Sequence, residues 1–170
     1  MSNNTKNNLT LIGMPGVGKS TVGVVLAKKL AYDFLDCDLL IQHETGKKLH
    51  EIIRDSGLDG FRQTENDVIA SIKTDESIIA TGGSAVYCNG AMEHLREIST
   101  VIYLKLSCDI LSDRLGSLTE RGVAIKEGWT LQDLYDERTP LYEKYADLTI
   151  ECDGKRLREV VEEIYSKFNH

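Results

Sequence analysis

The sequence lacks the features that mark membrane, secreted and nucleic-acid-binding proteins. No apolar run approaches the ~20 residues that a helix needs to cross a bilayer. The first residues, MSNNTKNN, are polar and contain no apolar core, so we expect neither a signal peptide nor an anchor. Basic residues are outnumbered, with 20 Lys and Arg against 27 Asp and Glu, and the net charge of −7 argues against a nucleic-acid partner.

The four cysteines form no C-x-x-C pair and are widely spaced, at Cys37, Cys88, Cys108 and Cys152. This spacing argues against a disulfide framework or a metal site and favours reduced thiols in a cytoplasmic protein. The remaining composition, 41% hydrophobic and 28% charged in 170 residues, is typical of a globular enzyme. We therefore expect residues 1–170 to form a single domain. We also expect the protein to be a monomer.

Apolar runs typical of buried strands alternate along the chain with segments whose apolar residues recur at helical spacing. This alternation predicts a five-stranded parallel sheet covered by helices on both faces, a three-layer α/β/α fold. The predicted strands are Leu9–Ile12, Phe34–Asp36, Ser77–Ala80, Thr100–Leu106 and Leu148–Glu151.

The C-terminal third of the chain contains one irregular stretch and one helix signal. Residues 116–128, GSLTERGVAIKEG, have no clear apolar periodicity and are bounded by glycines, which is typical of a mobile loop. We call this stretch the lid segment. After it, Thr130 stands three residues before Asp133, a pattern that caps the start of a helix. Pro140 disfavours helical geometry at Thr139, so we expect the chain to bend there.

A phosphate-binding motif, G-x-x-x-x-G-K-S, occupies residues 13–20 between a predicted strand and a predicted helix. Its glycines allow backbone N–H groups to turn inward around phosphate oxygens at the positive end of a helix. Lys19 supplies a charge to the phosphates and Ser20 a hydroxyl to Mg²⁺. The motif predicts nucleotide binding and a P-loop NTPase fold. The predicted nucleotide-binding residues of the loop are Gly13, Gly16, Val17, Gly18, Lys19, Ser20 and Thr21.

Two carboxylates stand two residues apart in the stretch YDFLDCDLLI. If the strand continues through both, Asp36 and Asp38 point to the same face, about 6.6 Å apart along the chain. That distance is too long for sharing one proton and favours two separate roles. Asp36 would belong to the magnesium shell and Asp38 would face the phosphoryl acceptor. The alternative is that the pair caps the next helix.

Several arginines and glycines could complete an anion-binding pocket. Arg62 lies one helical turn before Glu65, which could fix its guanidinium for a carboxylate, although an ordinary surface ion pair explains the same spacing. Arg138 could bind the same anion or be a solvated helix residue. Gly82 and Gly83 follow a strand, where missing Cβ atoms would allow backbone N–H groups to approach a ligand or would simply form a tight turn.

Taken in order, the stretches GMPGVGKST, DCD, GFRQTE, ATGGSAV, the ER of the lid segment and RTPLYEKYAD resemble the shikimate kinase family. The resemblance extends over almost the whole chain. It implies the nucleoside-monophosphate-kinase type of fold, with an acceptor-binding segment at about 36–65 and a lid at about 116–128. The implied activity is ATP-dependent phosphorylation of shikimate to shikimate 3-phosphate.

The resemblance also implies roles for the residues on the ATP side. Lys19 and Ser20 would bind the ATP phosphates and Mg²⁺, and Asp36 would lie in the outer shell of the metal. Arg121 would descend with the lid onto the transferring phosphate. Arg114 would lie near the adenine.

On the acceptor side, the family pattern implies that Asp38 holds the reacting hydroxyl as the candidate base. Arg62 and Arg138 would bind the carboxylate of the acceptor, and Gly82 and Gly83 would lie against its ring. Together with Lys19, Asp38 and Arg121 form the predicted catalytic set.

The chain departs from the family pattern at two places. Ser84 stands where the family has a third glycine, and it adds a Cβ and a hydroxyl beside the predicted acceptor site. Gly122 follows Arg121 where the family has proline, which would loosen the lid. These departures keep open a kinase of another hydroxy acid, such as homoserine, gluconate or quinate. A non-catalytic nucleotide-binding protein is a further alternative, disfavoured by the complete set of acidic and P-loop residues.

Overall fold

The computed structural model describes residues 6–116 and 123–169 of the chain. Arg121 and Gly122, two residues of the predicted lid segment, lie outside the described residues, so the prediction for Arg121 stays a prediction. The described end of the lid segment, residues 123–128, contains neither helix nor strand.

Five parallel strands form one sheet, in the order β2-β3-β1-β4-β5. The prediction of a five-stranded parallel sheet is confirmed, and the observed strand bounds differ from the predicted ones by one residue at most. Because the strands are parallel, all their carboxyl ends lie at one edge, where a ligand can be bound by several connecting loops. The strands are β1 (Asn8–Ile12), β2 (Asp33–Asp36), β3 (Ser77–Ala80), β4 (Ser99–Lys105) and β5 (Leu148–Glu151).

Helices cover both faces of the sheet, as the alternating pattern predicted. Three of them, at Cys37–Thr45, Asn89–Ile98 and Cys108–Leu115, were not recognised in the sequence. A short 3-10 turn at Ala85–Tyr87 follows β3. The helices are α1 (Lys19–Leu30), α2 (Cys37–Thr45), α3 (Leu49–Ala70), α4 (Asn89–Ile98), α5 (Cys108–Leu115), α6 (Leu131–Tyr145) and α7 (Leu157–Phe168).

Two apolar clusters hold these elements together. The large one is built on both faces of the sheet and includes the fully buried strand residues of β1, β3 and β4. The small one joins α2 to α3 through Ile41, Ile52 and Phe61, and Ala124 of the lid segment packs against it. The second cluster therefore places α2 and α3 as a wall beside the carboxyl edge of the sheet. None of the helices within the described residues combines the length and apolarity needed to cross a bilayer.

The structure confirms one local prediction for α6 and corrects another. Thr130 Oγ1 accepts a hydrogen bond from Asp133 N at 3.1 Å, and Asp133 Oδ2 accepts one from Thr130 N at 2.9 Å, so the predicted cap is present. The predicted loss of helical geometry at Thr139 is wrong, because α6 continues through Pro140. Arg138 and Tyr142, which are buried on either side of Pro140, anchor the helix in the core and offset the loss of one backbone hydrogen bond.

Candidate active site

The P-loop connects the end of β1 to the start of α1. Gly18, the residue before α1, has φ 100°, a left-handed conformation that side chains with a Cβ rarely adopt. At Gly13, a Cβ would lie 2.7 Å from the carbonyl oxygen of Leu104, so only glycine fits against β4. The loop therefore has the backbone freedom that a phosphate-binding loop requires, as the motif predicted.

The side chain of Lys19 lies inside the P-loop and is hydrogen-bonded to its backbone. Its Nζ donates hydrogen bonds to the carbonyl oxygens of Gly13, at 2.7 Å, and Met14, at 2.9 Å. Burial lowers the pKa of Lys19 to about 7, and the nearby Asp38 carboxylate opposes that shift. A buried ammonium group whose hydrogen bonds within the described residues go to carbonyl oxygens would gain strongly from a phosphate anion.

Ser20 and Asp36 are joined by a hydrogen bond from Ser20 Oγ to Asp36 Oδ2, 3.1 Å long. Asp36 is the last residue of β2 and also the N-cap of α2, since its Oδ1 accepts from Leu39 N at 3.1 Å. The capping alternative is thus confirmed for Asp36. The interpretation that the strand continues to Asp38 is wrong, because Asp38 lies in the first turn of α2. An apolar residue between the two acids looks the same in a strand and in a helical turn.

Except for Arg62, the residues predicted to bind the acceptor line one cavity of about 320 Å³, together with the P-loop. Lys19, Ser20 and Asp38 line it together with the apolar side chain of Phe61. Sequence reasoning missed its apolar wall, because nothing in the pattern distinguishes these residues from ordinary core. The predicted residues in the lining are Gly16, Gly18, Lys19, Ser20, Thr21, Asp38, Gly82, Gly83, Ser84 and Arg138, and the missed ones are Pro15, Leu49, Ile53, Phe61, Thr81, Val123 and Ala124.

Gly82 makes room for Asp38. A Cβ on Gly82 would lie 2.7 Å from Asp38 Oδ1 and 3.4 Å from Glu65 Oε2. Burial and the neighbouring Asp36 raise the pKa of Asp38, whereas Lys19 lowers it. The two carboxylates are therefore packed against the backbone of Gly82, a reason for this glycine that its position in the sequence did not reveal.

Arg138 is a buried cation beside Gly83. Its side chain is 1% exposed, so the alternative of a solvated helix residue is wrong. Nη2 donates to Ala124 O at 3.0 Å, and Nε donates to Tyr87 Oη at 3.3 Å. A Cβ on Gly83 would lie 2.8 Å from Arg138 Nη1. No carboxylate among the described residues lies within ion-pair distance of Arg138, and an unpaired buried guanidinium favours an anionic ligand.

Arg62 and Glu65 do not form the predicted pair; in the parts of the chain that the structure describes, no ion pair joins them. Glu65 is fully buried, and its Oε1 accepts from Ser84 Oγ at 2.8 Å. Burial raises the pKa of Glu65 to about 7. Arg62 lies over the ring of Tyr87, with Cζ 4.2 Å from the centroid. It lines a neighbouring depression of about 250 Å³ instead of the main cavity.

A second cavity, of about 210 Å³, adjoins the P-loop on the side of α7. Arg114 lines it, and Arg114 Nη1 donates to the carbonyl oxygens of Gly16 at 3.3 Å and Val17 at 3.4 Å. Thr21 lies between the two cavities, since it lines both. Lys155 also lines the second cavity and was missed in the sequence, where it reads as an ordinary exposed lysine.

The chain is similar to proteins of known function over nearly its whole length. The model of the shikimate kinase family matches residues 15–169. A shikimate kinase from Nostoc sp. is 39% identical over 157 residues, 91% of this chain and 86% of the relative. One from Thiobacillus denitrificans is 36% identical over 170 residues, 96% and 91% of the two chains. The structure of a shikimate kinase from Acinetobacter baumannii in complex with shikimate matches with a TM-score of 0.85 at 32% identity, covering 95% of this chain and 92% of that one.

Proposed function

Because this chain belongs to the shikimate kinase family, we propose that it transfers the γ-phosphoryl group of ATP to a hydroxyl of shikimate, with ADP and shikimate 3-phosphate as products. The observation that carries the proposal is Arg138, a buried guanidinium without a carboxylate partner among the described residues, in the same cavity as Lys19 and Asp38. An acceptor with both a carboxylate and a hydroxyl complements these three groups.

On the donor side, the P-loop amides and Lys19 bind the ATP phosphates. The nucleobase would occupy the second cavity, which Arg114 lines. Ser20 and Asp36 would hold Mg²⁺, which binds proteins through one or two oxygen ligands and otherwise through phosphate and water. The adjacent hydroxyl and carboxylate fit that coordination, and the ion neutralises charge on the phosphates when it is bound.

On the acceptor side, Asp38 orients the reacting hydroxyl and accepts its proton late in the transfer. Arg138 binds the carboxylate, with Arg62 as its partner. Gly82 leaves the space in which Asp38 fits, and Gly83 leaves the space in which Arg138 fits. The apolar wall around Phe61 packs against the carbon ring and limits the access of water.

The lid segment completes the site in this proposal. Arg121 stabilises the phosphoryl group in a loose transition state, for which positioning and charge neutralisation matter more than a strong base. Residues 36–65 act as the acceptor-binding segment and 116–128 as the lid. Ala124, whose carbonyl oxygen accepts from Arg138, connects the lid segment to the carboxylate site.

The finding at Ser84 weakens the case for a different acceptor. Ser84 Oγ donates a hydrogen bond to the buried carboxyl group of Glu65, so the main partner of this hydroxyl is a protein group and not the acceptor. The alternative is a kinase that phosphorylates homoserine, gluconate or quinate. An acceptor screen distinguishes this alternative from a shikimate kinase. We further propose that the protein is a monomer and acts in the cytoplasm, where ATP is available and its four free cysteines stay reduced.

The decisive experiment is an ADP-release assay with shikimate, quinate, gluconate, homoserine, AMP and CMP as acceptors. We expect only shikimate to accelerate ADP formation far above the background. Asp38→Asn should lower kcat about a hundredfold or more, because the general base is lost, while Asp67→Asn, on the exposed face of α3, should retain the wild-type rate. Equal rates with and without shikimate would reject the proposal, and near-normal turnover of Asp38→Asn would remove that residue from the mechanism.

A further inference from the structure

Tyr87 is an aromatic residue to which neither the family pattern nor the sequence reasoning assigned a role. It ends the 3-10 turn that follows β3 and the glycine pair. Both predicted carboxylate-binding arginines contact its ring: Arg62 Cζ lies 4.2 Å and Arg138 Cζ 5.3 Å from the centroid. These distances are within the range of cation–π attraction.

The hydroxyl of Tyr87 adds a directional contact. It accepts a hydrogen bond from Arg138 Nε at 3.3 Å and donates one to Glu137 Oε2 at 2.5 Å. Glu137 in turn lies 3.6 Å from Lys126, which belongs to the described end of the lid segment. Burial and the bond to Glu137 raise the pKa of Tyr87, so the phenol keeps its proton and remains a donor.

The two arginines differ in how firmly the rest of the protein holds them. Arg138 is buried and has a backbone partner in Ala124, in addition to Tyr87. Arg62 is half-buried, and its guanidinium lies on the Tyr87 ring. Phe61, the residue before Arg62, lines the main cavity, whereas Tyr87 and Arg62 together line the depression beside it. The ring is therefore the element that connects the position of Arg62 to that of Arg138.

We propose that Tyr87 is a positioning residue for the acceptor carboxylate, which holds the guanidinium groups of Arg62 and Arg138 on one aromatic ring so that they act as a pair. This inference rests on the proposed function. Free arginine side chains lose rotamer entropy when they bind a ligand, and a ring that already restricts them reduces that cost. We therefore expect the Tyr87 ring to strengthen binding of the acceptor and to leave binding of ATP unchanged.

The test compares Tyr87→Leu, which removes the ring, with Tyr87→Phe, which keeps the ring and removes only the hydroxyl. We expect Tyr87→Leu to raise the KM for shikimate about five- to thirtyfold, the range expected for loss of cation–π contacts. The KM for ATP should stay within about twofold of wild type, since the ring does not contact the P-loop cavity. Tyr87→Phe should recover most of the loss. If Tyr87→Leu fails to fold, Tyr87→Met tests the same point.

Tyr165→Leu is the matched control, because it removes a comparable contact far from the cavity. Lys29 Nζ lies 4.5 Å from the centroid of the Tyr165 ring, between α1 and α7. We expect this variant to leave the KM for shikimate unchanged. A purely structural role of Tyr87 would instead lower the melting temperature and kcat while the KM for shikimate stays constant, and that outcome would overturn the inference.

A double-mutant cycle shows whether Tyr87 acts through Arg62. In the Arg62→Ala background, Tyr87→Leu should raise the KM for shikimate by a much smaller factor than in the wild type, because one of the two arginines is already absent. The same factor in both backgrounds would contradict the inference. A wild-type protein that releases no ADP with shikimate would instead reject the proposed function, and the inference with it, so the two failures are distinguishable.

Discussion

Two buried titratable side chains, Lys19 and Glu65, have pKa values displaced in opposite directions, each to about 7. Burial is the main cause in both cases, because it disfavours the charged form of either group. The lowered pKa of Lys19 reduces the fraction of the side chain that carries a positive charge for a phosphate. The raised pKa of Glu65 favours its protonated, neutral form. Both residues should therefore link folding or binding to pH.

Replacement of Glu65 by Gln should change how stability depends on pH. The pKa of Glu65 is raised from an ordinary value of 4.5 to about 7, so the folded state holds more protons between these values and the free energy of unfolding falls as pH rises through them. Gln resembles the protonated acid and removes this loss. We expect Glu65→Gln to gain about 1–3 kcal/mol relative to wild type between pH 5 and pH 8.

Urea unfolding at pH 5, 6, 7 and 8 measures this difference. Glu97→Gln is the control, since Glu97 is exposed on α4 and should follow the wild type at each pH. A constant difference between Glu65→Gln and wild type across the series would contradict the raised pKa.

Nucleotide binding should take up a proton at Lys19. In the nucleotide-free protein Lys19 is partly neutral above pH 7, and a bound polyphosphate favours its charged form. We therefore expect the Kd of MgATP to rise with pH above 7, by at most about tenfold per pH unit. Calorimetry at pH 8 in two buffers of different ionisation enthalpy measures the proton uptake directly. Lys19→Arg, which stays charged, should bind without that uptake, and a wild type without buffer dependence would exclude the linkage.

At the scale of elements, the junction of β2 and α2 places two acids in different environments. The strand ends at Asp36 and the helix begins at Cys37, with no connecting residue between them. Asp36 therefore caps α2 while it also contacts Ser20, and Asp38 is turned into the cavity. The direct junction lets one short stretch serve both the predicted metal side and the predicted acceptor side.

Substitutions at Asp36 should separate capping from metal binding. Asp36→Ala removes the N-cap and should lower the free energy of unfolding by about 1 kcal/mol, whereas Asp36→Asn keeps a capping oxygen and should cost little. Both should raise the Mg²⁺ concentration needed for half-maximal activity about tenfold or more, since the carboxylate that we propose as a Mg²⁺ ligand is lost. Unfolding curves and Mg²⁺ titrations of the ADP-release rate measure the two effects. An unchanged Mg²⁺ requirement in Asp36→Asn would exclude Asp36 from the metal shell.

At the scale of the whole molecule, the cavities are formed by segments from distant parts of the chain. The main cavity joins the P-loop, α2, α3, the loop after β3 and α6, and the second cavity adds α5 and α7. Ligands that fill both cavities therefore contact elements on both sides of the sheet. Binding of such ligands to the folded state alone raises its stability by mass action.

ATP and shikimate should each raise the melting temperature. At about 100 times its Kd, a ligand adds about 2.7 kcal/mol, which corresponds to roughly 5–10 °C for a domain of this size. Lys19→Ala should lose the increment from ATP and keep that from shikimate, and Arg138→Lys should show the reverse pattern. Thermal melts with each ligand alone provide the measurement. Loss of both increments in either variant would mean that the two ligands do not bind at separate groups.

The sequence by itself determined the features that depend on neighbouring residues. The P-loop is a motif of consecutive residues between a strand and a helix. The predicted strands are likewise short runs of neighbouring apolar residues, which indicate burial. The bounds of the five strands and the cap at Thr130 followed from such local information, whereas the role predicted for Asp38 rests on the resemblance to the family.

Only the tertiary structure decided which distant side chains meet. Gly82 makes room for Asp38 and Gly83 for Arg138, Ser84 binds Glu65, and Arg62 lies on the ring of Tyr87. Periodicity indicates that a residue is buried, but it does not indicate which partner, dozens of residues away, will fill the adjoining space. That choice depends on how the helices pack over the carboxyl edge of the sheet, because steric fit and hydrogen-bond satisfaction are decided there for all the segments at once.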